Sequence, residues 1–178
     1  GGGGGTPAIV GVDTEWVASR PVSLLQLAAR GVCVLLRVQT IVEPAGAGAA
    51  GSAGAAAAGV AAGEALDEAS HGGLPPALVD LLADPAILKA GVGVTADLRL
   101  LREQLGLASA GVVELQPLAA REGFSAAGLQ RLAADVLGRH LGKRPEIRCG
   151  DWEAPTLSDD QVAYAAMDAH VSVDVFTA

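Results

Sequence analysis

The chain alternates short apolar runs with longer amphipathic stretches, and the period of each predicts the element it forms. AIVGV (8–12), VSLLQLAA (22–29) and VCVLLRV (32–38) are apolar runs separated by turn-like pieces, with Arg30-Gly31 between the second and third. Runs of this length, rich in Val and Leu and bounded by turn residues, read as a strand meander. LPPALVDLLADPAI (74–87) reads as a helix with Pro75-Pro76 at its start, where proline is tolerated. LKAGVGV (88–94) reads as a fourth strand, and TADLRLLREQLG (95–106) as a helix with Thr95 as N-cap and Gly106 as its stop. GVVELQPLAA (111–120) supplies a short strand and SAAGLQRLAADVLG (125–138) another helix, before a polar loop over 138–157. SDDQVAYAAMDAHVSVDVF (158–176) carries the clearest helix signal, with Ser158 and Gln161 as a capping box and Asp159 and Asp160 in the first turn. Three strands followed by alternating helices and strands predict an α/β domain, a mixed sheet with helices on its faces.

Composition changes this picture at one place. Pro44 to Gly63 is nearly all alanine and glycine, and the glycines at 46, 48, 51, 54, 59 and 63 cancel alanine's preference for helix. With nothing large to bury, residues 45–63 are expected to form a mobile, dispensable insertion loop. The 178 residues suit one domain spanning 1–178. The start GGGGGTP lacks Met, so the chain is expected to be a piece of a longer protein, and no targeting segment is legible in it.

The formal net charge is −8, which argues against a nucleic-acid binder relying on bulk positive charge. A local basic patch, or acids neutralised by metal, stays compatible with it. Cys33 and Cys149 lack C-x-x-C spacing and neighbouring histidines, so neither zinc nor a disulfide framework is indicated. No apolar run approaches the ~18 residues of a membrane span.

The chemistry begins at the end of the first strand. VGVDTEW places Asp13 and Glu15 two residues apart, so in a strand both side chains point to the same face. Adjacent carboxylates raise each other's pKa and are costly to bury unpaired. The arrangement makes sense if something strongly positive lies between them. Tyr164 and Asp168 are four apart on the last helix and share one face, expected to be inward because Val162, Ala165, Ala166, Ala169 and Val173 surround it with apolar surface. Asp97 lies in the first turn of a helix following a short strand, where a carboxylate also suits the helix dipole. Together, four carboxylates converging at one end of a sheet make an oxygen-rich site for hard divalent cations, Mg²⁺ or Mn²⁺. Two such ions can activate water and stabilise a leaving oxygen in phosphodiester hydrolysis. A tyrosine one turn from a metal ligand is placed to orient that water.

These residues resemble the DEDD superfamily of 3′–5′ exonucleases, in its tyrosine-containing branch. Asp13 and Glu15 in VGVDTEW match the first motif, Asp97 in AGVGVTADLRLL the second, and Tyr164 and Asp168 in LSDDQVAYAAMDAHVSVDVF the third. GLQRLAADVLG and RCGDWEAPTLSDDQ also resemble the exonuclease domain of the Werner-syndrome type, its plant relatives and ribonuclease D. The resemblance covers about residues 8–177. It implies an RNase H-like fold, a five-stranded mixed sheet flanked by helices, in an intracellular and by preference nuclear setting. It also implies that Asp13, Glu15 and Asp168 hold one of two divalent cations. Asp13 would bridge to the second, Asp97 would act largely through water, and Tyr164 would position the nucleophile.

The implied substrate is the 3′ end of DNA or RNA, with release of nucleoside monophosphates, no membrane and no nucleotide cofactor. For substrate contacts, GRHLGKRPEIR gathers Lys143, Arg144 and Arg148 just before the last helix. They form either a phosphate-contacting patch or a solvated loop. Trp16 and Leu98 flank metal-ligand positions and are candidates to stack on the terminal base, with packing the alternative for Leu98. The competing function is a catalytically idle nucleic-acid-binding module on the same fold. A protein-interaction domain rests only on the acidic surface and the Gly/Ala loop.

Overall fold

The computed structural model describes residues 7–42, 73–125, 127–142 and 144–178. The Gly/Ala segment at 45–63 lies outside these residues, as does Lys143. Strands β1 (Ala8–Glu15), β2 (Leu24–Ala29) and β3 (Val32–Leu36) form the meander. β1 pairs antiparallel with β2, and β2 antiparallel with β3. β4 (Ile87–Gly91) joins the other side of β1 in parallel, and β5 (Val112–Glu114) extends that edge, also in parallel. The order β3-β2-β1-β4-β5 places β1 at the centre of a five-stranded mixed sheet.

Helices α1 (Val38–Val42), α2 (Pro76–Ala83) and α3 (Val94–Leu105) accompany the first strands. α4 (Leu115–Arg121), α5 (Leu129–Leu137), α6 (Pro145–Arg148) and α7 (Asp159–Thr177) follow. One apolar core joins Val10, Val12, Leu25 and Leu27 of the sheet to Leu78, Leu82, Leu98 and Leu101 of α2 and α3. A second joins Ala90 to Leu115, Leu132, Val171 and Val175 on the helices of the opposite face. The odd-numbered and even-numbered positions of β1 therefore serve different helical layers, which follows from the two-residue period of a strand. Among the described residues no helix is long and apolar enough to cross a membrane.

Several boundaries depart from the pattern-based expectation. α3 begins at Val94 on Gly93, whose φ of 78° is left-handed and therefore suits glycine. Thr95 is already inside the helix, so it is not the N-cap. GVVELQPLAA yields only three strand residues before it turns into α4, with Pro117 tolerated in the first turn. The loop at 138–157 contains α6, and its Ile147 and Trp152 are buried. Its polar composition hides two apolar anchors. Val162 is exposed on α7, so it is not part of the inward face. The capping box of Ser158 and Gln161 is present as expected.

Candidate active site

The site is assembled where β1 ends and α7 crosses it. Gly11, Asp13 and Glu15 share one face of β1 by the alternation of a strand. A Cβ on Gly11 would lie 2.0 Å from the carbonyl oxygen of Ala169, so α7 seats directly on the strand backbone. That close approach sets Asp168, the residue before Ala169, beside Asp13. Asp13, Glu15 and Asp168 each offer a carboxylate oxygen, and the three oxygens lie within 4.8 Å of one another.

Such crowding has the electrostatic signature expected of it. Burial, then the charges of Asp168 and Asp97, push Asp13 up to about 8. Burial, then Asp13 and Asp168, push Glu15 up to about 9, with the Arg148 guanidinium drawing it back. Asp97 and Asp168 are each raised to about 6, chiefly by burial. Asp97 stands outside the trio of converging oxygens, yet its charge acts on both Asp13 and Glu15.

Asp97 owes its place to a residue the sequence pattern did not single out. The Glu114 carboxylate accepts from Gly93 N–H at 2.6 Å and from Thr95 N–H at 3.4 Å. It thus satisfies donors at the positive end of α3. β5 and α3 are locked together, and Asp97 is held in the first turn facing the site. The signal was a lone acid in the apolar run GVVELQ.

Tyr164 is buried one helical turn before Asp168. It packs with Leu24, Ile147, Trp152 and Ala165, its ring centroid 6.3 Å from that of Trp152. Burial, Asp168 and Glu15 raise its hydroxyl above the ordinary tyrosine range, so it stays protonated at neutral pH. Trp152 is a second residue at the site that the sequence pattern did not single out. It is fully buried, and its Nε1–H donates to the carbonyl of Arg148 at 3.1 Å. One indole therefore braces both Tyr164 and the segment carrying Arg148.

A cleft of about 790 Å³ opens beside these groups, bounded by Leu129 and Arg131 of α5, by His140, Arg144 and Arg148, and by Tyr164 and Asp168. Arg144 makes a two-pronged pair with Asp160, both contacts at 3.0 Å, which ties its loop to the start of α7. Arg148 forms no side-chain hydrogen bond or ion pair among the described residues, and its charge acts on Glu15. Trp16 is 41% exposed just past the end of β1, whereas Leu98 is 3% exposed and packs in the core. The structure thus brings Asp13, Glu15, Asp97, Tyr164, Asp168, Arg144 and Arg148 to one end of the sheet, and turns Leu98 away from solvent.

Residues 5–178 match a family model described as 3′-5′ exonuclease. The chain is similar to the human exonuclease 3′-5′ domain-containing protein 2, with 36% identity across 94% of this chain and 24% of that protein. The mouse protein of the same name is 35% identical across 94% of this chain and 23% of its own length. The chain therefore spans just under a quarter of the length of these two relatives. A crystal structure of the EXD2 exonuclease domain soaked in Mn and Mg is 35% identical, with 94% of this chain and 74% of that one covered and a TM-score of 0.48. The match over nearly the whole chain, and relatives alike over almost all of it, make this chain a member of the 3′–5′ exonuclease family.

Proposed function

We propose that this domain is a divalent-metal-dependent 3′–5′ exonuclease, hydrolysing phosphodiester bonds at the 3′ end of DNA or RNA and releasing nucleoside monophosphates. The observation that carries this is the convergence of the Asp13, Glu15 and Asp168 carboxylate oxygens within 4.8 Å. An all-oxygen, anionic donor set suits Mg²⁺ or Mn²⁺ and not softer metals. Burial first, and for Asp13 and Glu15 also the neighbouring carboxylates, opposes the charged forms of these acids, a cost that a bound cation would offset.

Asp13, Glu15 and Asp168 would hold one cation, Asp13 would bridge to a second, and Asp97 would act on the second largely through water. Bound there, two cations supply an activated water and charge stabilisation at the leaving oxygen. The chain's own groups do the rest. Tyr164, protonated and braced by Trp152, hydrogen-bonds the attacking water and lines it up with the phosphorus. Water's oxygen bonds to phosphorus as the bond to the penultimate nucleotide's 3′ oxygen breaks, and that oxygen leaves as a hydroxyl by taking up the proton that the attacking water gives up. Arg148, which makes no ion pair among the described residues, faces the phosphate, and exposed Trp16 offers a surface on which the terminal base stacks. Arg144 serves the cleft by holding its wall to α7.

A 3′-labelled oligonucleotide incubated with Mg²⁺ or Mn²⁺ tests this. Labelled mononucleotide should appear with either ion, vanish with EDTA, and be absent for Asp13→Asn. Binding without release of label would support the idle module in its place. Parallel DNA and RNA ladders assign the sugar preference.

A further inference from the structure

β2 carries one polar side chain in an otherwise apolar run, Gln26 in LLQLAA. It is fully buried, and among the described residues neither its Oε1 nor its Nε2 has a hydrogen-bond partner. A carboxamide left so costs free energy that an apolar side chain of equal size would not. Its position says what it is for. In the β1–β2 register Gln26 stands directly opposite Asp13, between the pairs Gly11–Ala28 and Glu15–Leu24. Residues directly opposite on neighbouring strands project to the same face within side-chain reach. That face is the one covered by α7, since Gly11 abuts Ala169 and Leu24 packs with Tyr164 and Ala165. On the other side of Gln26 the register partner is Leu35 of β3, which offers its amide nothing. The neighbouring strand that can satisfy this carboxamide is therefore β1, through Asp13.

We infer that Gln26 is a positioning residue for Asp13, its Nε2–H donating to the Asp13 carboxylate and fixing its orientation when that carboxylate is ionised and holds a cation. The inference rests on the proposed metal site. Carboxylates that ligate metals are themselves hydrogen-bonded, and losing such a partner typically weakens metal binding ~10–100-fold.

The test reads Mn²⁺ binding to the full chain by the electron paramagnetic resonance signal of free Mn²⁺, without reference to turnover. Gln26→Met keeps the volume and removes the donor. It should bind Mn²⁺ at least about tenfold more weakly than the parent, while melting no lower than the parent in EDTA. Equal Mn²⁺ affinity in the two proteins would overturn the inference and leave the metal site standing. A parent that binds no Mn²⁺ would overturn both. If Gln26→Met fails to fold or melts lower, the parent itself decides. Its Gln26 side-chain amide resonances should shift, and their exchange with water should slow, as Mg²⁺ is titrated in. Resonances unmoved at saturating Mg²⁺ would refute the assignment.

Discussion

On the proposed mechanism Tyr164 has two jobs that one substitution can separate. Its ring fills the pocket formed with Trp152 and Leu24, and its hydroxyl stays protonated because burial and the nearby carboxylates of Asp168, Glu15 and Asp13 oppose ionisation. Tyr164→Phe preserves the ring and deletes only the hydroxyl. Turnover should fall by ~10²–10⁴-fold, the usual contribution of a positioned proton-handling group, with Mn²⁺ affinity nearly unchanged. Full activity in the variant would remove the hydroxyl from the mechanism. The two arginines of the cleft also differ in kind. Arg144 is engaged with Asp160, and Arg148 has no side-chain hydrogen bond or ion pair among the described residues. Arg148→Ala should therefore lower the log–log salt dependence of single-strand binding in EDTA by ~0.7, and Arg144→Ala by less. An unaltered slope for Arg148→Ala would place that side chain outside the phosphate path.

At the scale of elements, the site depends on how helices are fastened to the sheet. α7 is fastened by direct contact with β1 at Gly11, and α3 by the Glu114 carboxylate at its first turn. α2 uses a buried cation. Lys89 of β4 is fully buried, and its ammonium donates to the carbonyls of Leu81, Asp84 and Ile87 at 3.1, 2.6 and 2.8 Å. Two of these lie at or just past the end of α2, where carbonyls lack helical partners. Lys89→Met should remove the ammonium from the Leu81 and Ile87 carbonyls, while that of Asp84 keeps the Ile87 N–H at 3.4 Å. It should cost roughly 2 kcal/mol, at about 1 kcal/mol for each acceptor that loses its donor. Urea unfolding measures this, with the slope m unchanged. A loss below about 1 kcal/mol would mean water replaces the ammonium.

For the whole molecule, the site works against the fold. Asp13 and Glu15 have folded-state pKa values raised to about 8 and about 9, against unfolded values of ~4. The folded state therefore holds these protons more tightly than the unfolded state does. Their contribution to stability is fully present below pH ~4 and is lost as pH rises through the raised values. In EDTA the melting temperature should fall between about pH 5 and pH 9. Asp13→Asn should flatten that fall and melt higher than the parent at pH 8, by a few degrees, since ~1 kcal/mol moves a domain of this size 2–4 °C. Excess Mn²⁺ should shrink or reverse the order, because only the parent gains the full stabilisation of binding metal in the native state. An Asp13→Asn protein less stable than the parent at pH 8 in EDTA would mean that internal partners, not a cation, are meant to hold these acids.

The sequence by itself determined which residue types are present and how often they recur along each element. That was enough for the three-stranded meander, for α7 with its capping box, and for pairing Asp13 with Glu15 and Tyr164 with Asp168. Each of those inferences uses a period of 2 or 3.6, a property of the local backbone. The tertiary structure decided everything that needs two elements to meet. Thr95 carries the right chemistry for an N-cap, but the left-handed turn at Gly93 and the Glu114 carboxylate reaching over from β5 took that role. Loop 138–157 looked solvated because polar residues outnumber the buried Ile147 and Trp152, and composition cannot weigh two anchors against their neighbours. Leu98 adjoins Asp97 in sequence, yet one step of ~100° around α3 turns it into the apolar core. Gln26 passed as one polar residue in an apolar strand, and only the β1–β2 register set it opposite Asp13. Periodicity constrains the face a side chain occupies, whereas burial and partners depend on what the rest of the chain brings to that face.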